Sequence, residues 1–118
     1  MIGDEDGTPR DELEREVRRV ADRLRTLAVG RLGEPAPPWP SRAAAARAAA
    51  QALADAAAQL EGEPRRELPG LADTASGDLV AVCGSDLLSV LDERAGQGDG
   101  EPAVDAALGA LRDVRRAL

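Results

Sequence analysis

The chain has no histidine, lysine, asparagine, phenylalanine or tyrosine, and it has a single tryptophan and a single cysteine. Each gap closes a chemical route. Without histidine, the common zinc sites, the Glu-x-x-His di-iron motif, the serine triad and the Cys-His dyad cannot be assembled. Without lysine there is neither a Schiff-base amine nor a phosphate-binding P-loop. A lone Cys83 rules out an intramolecular disulfide. No apolar run reads as long enough to span a bilayer. The opening "MIGDEDGTPR" is acidic where a signal peptide would be basic and then apolar, so a cytoplasmic location is expected.

What is present is alanine, arginine and carboxylate. Fifteen basic residues, all arginine, stand against 22 Asp and Glu for a net charge of −7. The arginines are interleaved with carboxylates and form no stripe. The electrostatic attraction that drives phosphate binding is therefore missing, and neither nucleic acid nor an anionic membrane is an expected partner. The bias toward alanine and arginine follows GC-rich codons, as in a high-GC bacterium, and reports on a genome more than on a task. At 118 residues the chain is sized for one domain with one core. Residues 1–8 read as a disordered acidic tail and 9–118 as a single helical domain.

Periodicity and punctuation predict an all-α fold of four helices. Thr8 and Pro9 open the first, over residues 9–31, where Leu13, Val17, Val20, Leu24 and Leu27 share one face. Two glycines and four prolines between Gly30 and Ser41 end it in a partly extended loop. Ser41 caps the second helix, in which twelve of the sixteen residues 43–58 are alanine. Arg47, Gln51, Asp55 and Gln59 form a polar row along it. Residues 61–73 are a loop broken by Pro64, Pro69 and Gly70. Ser76 is placed to cap a third helix over 76–93, and a fourth occupies 101–118 after a flexible turn. Four such segments suit a four-helix bundle, threaded most simply up-down-up-down with a Pro-rich loop between the first two helices. The loop between the second and third helices, about a dozen residues, is also long enough for a crossover.

Sites are few. "DEDG" at residues 4–7 has the flavour of a calcium loop but puts Ile2 and Leu13 where ligands belong. Glu12 and Glu16 lie one turn apart, yet "DELERE" departs from the carboxylate spacing of the helical nucleotide pyrophosphohydrolases, and salt-bridged solvation of a helix face explains both residues. "CGSDLLS" resembles the Asp-Ser-Leu attachment site of acyl carrier proteins in composition, which would make Ser85 a carrier site. Here the order is inverted, and the alternative is that Gly84 and Ser85 admit a neighbouring helix. Cys83 lies on the apolar face as a small hydrophobe.

Trp39, the only aromatic side chain, sits in "PAPPWPS". It is either a displayed recognition residue or a plug folded onto the start of the second helix. Trp39, Arg47 and Asp55 are the candidate binding residues; no metal and no cofactor are expected. The broad alanine surface of the second helix exceeds one core face. It points to a non-catalytic protein working by association, as a homodimer or adaptor. The alternative is a small-molecule binder or enzyme with a pocket between helices, oriented by Arg47 or Asp55.

Overall fold

The computed structural model describes residues 8–118, so the expected acidic tail and the calcium-like "DEDG" lie, but for Thr8, outside the described residues. The chain is all-α. Helix α1 covers Pro9–Thr26, α2 is a single turn at Val29–Leu32, α3 covers Arg42–Glu61, α4 Ser76–Glu93 and α5 Gly100–Ala117. A 3₁₀ turn, Asp73–Ala75, leads into α4.

The sequence signals at the helix ends act as expected in two places. The Thr8 side chain accepts from the Asp11 amide at 3.0 Å, with Pro9 in the first turn, and the Ser41 hydroxyl accepts from the Ala44 amide at 3.0 Å. Gly62 closes α3 in the left-handed region at φ 69, which lets the Glu63 amide reach the Ala58 carbonyl. Two expectations need correction. The first helix stops at Thr26, short of residue 31, because Leu27 turns extended while the Thr26 hydroxyl bonds back to the Arg23 carbonyl. Val29 is thereby left exposed while Leu32 enters the core. Ser76 is not a cap either: its hydroxyl donates to the Asp73 carbonyl at 2.6 Å and fixes the 3₁₀ turn.

The principal helix contacts are α3 with α4, α1 with α4, α3 with α5 and α1 with α5, a closed ring. Ion pairs fix the directions. Arg10 at the start of α1 bonds Asp92 at the end of α4, and Arg25 at the end of α1 bonds Asp78 at the start of α4, so these two run antiparallel. Glu12 pairs with Arg112, Glu16 with Arg115 at 2.5 Å, and Arg23 reaches the Leu118 carbonyl, so α1 and α5 run parallel. The start of α4 lies beside the start of α3, near Ala43 and Ala44. Cys83 and Asp86, further along α4, lie beside Ala57 and Ala58, so these two helices are also parallel.

The chain therefore threads up, down, down, up, which corrects the expected alternation. The connection between α3 and α4 returns the whole length of α3. Its fourteen residues, 62–75, can reach well beyond the roughly 30 Å of a twenty-residue helix.

Each long helix sends one fully buried leucine to the centre: Leu13, Leu53, Leu87 and Leu111. Two glycines of α4 let α1 come close. A Cβ on Gly84 would come 2.9 Å from Val17 Cγ2, and one on Gly77 would come 2.8 Å from Arg25 Cγ. The expected packing role of Gly84 holds; that of Gly77 has no periodic signal of its own. Helix α4 with its 3₁₀ turn, Asp73–Glu93, is long and apolar enough by length and composition to cross a membrane, which corrects the expectation that no stretch is. In this fold Val80, Cys83 and Leu87 of that helix are buried.

Candidate functional site

Helix α3 is largely covered by the rest of the chain. Along its twenty residues only Gln59 and Glu61 are exposed. Alanine is the reason: with one leucine, Leu53, among its buried residues, α3 is thin enough for neighbours to close round it. Its polar row has a definite employment. The Arg47 guanidinium donates to the Pro69 carbonyl at 2.6 Å and also to the Leu68 carbonyl. The Gln51 amide donates to the Arg66 carbonyl at 2.8 Å, and its oxygen accepts from the Leu68 amide at 3.0 Å. Asp55 accepts from Gln51 at 2.8 Å and from Arg65 at 3.2 Å.

Residues 65–69 are thus pinned by their backbone, in extended form, antiparallel to α3. An extended segment outside a sheet has peptide groups to satisfy, and Arg47 and Gln51, one helical turn apart, satisfy several of them while Asp55 holds the Arg65 side chain. Leu68 adds a half-buried contact with the core. Arg47 and Asp55, expected to orient a ligand, bind this part of their own chain.

On the other side of α3 lies an open trough of about 470 Å³ shared with α5. Its lining includes Ala52, Ala56, Leu60, Pro102, Ala103 and Ala106. Asp55, Gln59 and Asp99 supply its polar rim. Asp99 is held below the usual carboxylate range by a hydrogen bond from Arg94, against a smaller opposing effect of desolvation. Asp55 stands on the ridge between the trough and the pinned segment and lines the one while bonding the other.

The remaining candidates lie apart from both. Trp39 is half-buried against the core in a tight turn in which Ala36 and Trp39 exchange backbone hydrogen bonds of 2.8 and 3.3 Å. With Pro37 and Pro38 it lines a shallow groove against Asp113, Arg116 and Ala117 at the end of α5. The turn carries the indole toward α5, where the plug reading had placed it on the first turn of the second helix. Ser85 is exposed in the middle of α4, beside the Gly84 contact and away from any helix start. Cys83 is buried, and desolvation first, then the charge of Asp86, pushes its thiol up, which favours the protonated form.

Glu12 and Glu16 point to α5 arginines. Glu16, only 3 % exposed, is the buried carboxylate that spacing alone did not single out. Among the described residues no three acidic, cysteine or histidine side chains converge in a way that could hold a metal ion. No family model, no curated protein and no solved structure matches this chain.

Proposed function

We propose that this protein is a non-catalytic four-helix bundle that works by protein association, as a homodimer or adaptor, through the trough between α3 and α5. The observation that carries this reading is the unequal treatment of the two sides of α3. The chain covers one with its own crossover and leaves the other open, lined by small apolar groups. A surface of alanines with a polar rim suits the close approach of a helix from another molecule, as the apolar centre of a dimer interface does.

Ala106 is exposed in the trough wall, so Ala106→Glu leaves the fold intact and puts a charge where a partner must pack. Solution mass by light scattering tests the reading. A wild-type dimer that Ala106→Glu converts to a monomer supports it. A wild-type chain that stays monomeric at millimolar concentration and captures no partner sinks it.

A second reading is supported by the rim. Asp55 and Asp99, paired with Arg65 and Arg94, border an apolar trough, where a small cationic amphiphile would take the place of one of those arginines. Calorimetric titration with an alkylammonium ion separates the two readings, since a partner helix needs no such cation.

A further inference from the structure

Every principal helix contact joins a helix before the crossover to one after it: α1 with α4, α1 with α5, α3 with α4 and α3 with α5. Neither the pair α1 and α3 nor the pair α4 and α5 is a principal contact. The two halves of the chain, 8–61 and 76–118, thus hold almost nothing within themselves. Each buries its apolar faces on the other, and Leu13 and Leu53 of one half belong to the same buried core as Leu87 and Leu111 of the other. Four ion pairs that join one long helix to another, Arg10–Asp92, Glu12–Arg112, Glu16–Arg115 and Arg25–Asp78, all cross the division between the halves.

Covalently the halves are joined by residues 62–75, which lie outside the core apart from Leu68 and the 3₁₀ turn beside Ser76. We infer that two copies of this chain exchange halves, so that helices α1 and α3 of one copy pack on α4 and α5 of the other. The exchanged pair rebuilds each interhelix contact of the single chain, and exchange of identical elements is a low-cost route to dimers. What favours the single chain is the tether, equivalent to a millimolar local concentration, and the grip of Arg47, Gln51 and Asp55 on residues 65–69. That grip acts as a latch on the choice between one chain and two. Exchange rebuilds the trough between α3 of one copy and α5 of the other and does not require the trough to be occupied.

The test mixes two full-length variants. One carries Glu12→Arg and Glu16→Arg, the other Arg112→Glu and Arg115→Glu. Alone, each sets like charges against each other between α1 and α5. Refolded together at high concentration, an exchanged pair contains one bundle with both swaps, hence matched, and one with the native charges. The expected result is a one-to-one dimer whose melting temperature lies well above that of either variant. A mixture that keeps the mass of single chains and melts as its components do overturns the inference.

A second variant covers the event that the swapped chains do not fold. Deleting residues 65–71 leaves seven crossover residues, which reach about 25 Å, short of the return along α3. Exchange predicts a folded, obligate dimer that Ala106→Glu does not dissociate. A folded single chain, or an unfolded one, overturns it. A dimer of wild-type chains that Ala106→Glu dissociates, with no rescue in the mixture, leaves the trough reading standing and removes exchange alone.

Discussion

The two sides of α3 begin from the same alanine-rich helix and end in opposite states. Toward the crossover, Arg47 and Gln51 meet an extended segment whose carbonyls and Leu68 amide match them, and Asp55 holds the Arg65 side chain. Toward α5, Ala52 and Ala56 face a trough that no segment of the described residues fills. The difference lies in hydrogen bonding rather than in hydrophobicity. An extended backbone can lie on a helix only where side chains replace the water it gives up, and an alanine surface without such a row cannot hold one. A polar row on an apolar helix can therefore be a docking strip for the molecule's own chain, and the bare apolar side is the better place to look for a partner.

Substitutions can break the contrast at its frame first. Both sides require α4 and α5 to be held in place by α1, and Gly84→Val forces a side chain into Val17 where α4 touches α1. Overpacking there is expected to cost about 3 kcal/mol, read as a lower urea midpoint. Next, Arg47→Ala with Gln51→Ala removes the grip on the covered side. A loss of about 2 kcal/mol is expected, with faster alkylation of Cys83 because the crossover no longer closes the groove beside it. Unchanged alkylation would mean that the crossover does not control access.

On the open side, Ala106→Glu is expected to move stability by no more than about 0.5 kcal/mol, since the residue is exposed. If it destabilised the fold as much as the double variant, the two sides would not differ as described.

The smallest effect concerns Asp99 on the trough rim. Its folded pKa lies below the ordinary value of 3.8, so the Arg94 pairing stabilises the protein above that pH. The contribution fades as pH falls through the lower, folded value. Asp99→Asn should remove a slight acid-side slope in melting temperature and leave neutral-pH folding nearly unchanged.

Much of this was legible in the residues. Thr8 and Ser41 marked two helix starts correctly because a capping hydroxyl acts on amides two or three residues away, a local matter. The row Arg47–Gln51–Asp55 was visible as a row, and its location on one stripe of α3 was right. Its partner was not visible, because residues 65–69 have no periodicity of their own and take their extended form from the helix they lie on. Gly77 was missed for a similar reason: it matters only because α1 passes within contact distance of it.

The sequence by itself determined that the chain is helical, where the apolar faces fall and which chemistries are excluded, since these follow from composition and from interactions within a few residues. The tertiary structure alone decided the rest. It decided that α3 and α4 run parallel, that the crossover doubles back along α3, that Glu16 is buried against Arg115, and that one alanine flank is covered while the other is open. These depend on which faces meet among helices far apart in the chain, where several pairings satisfy the same local pattern. The long-range ion pairs and the extended segment's hydrogen bonds fit only one of them.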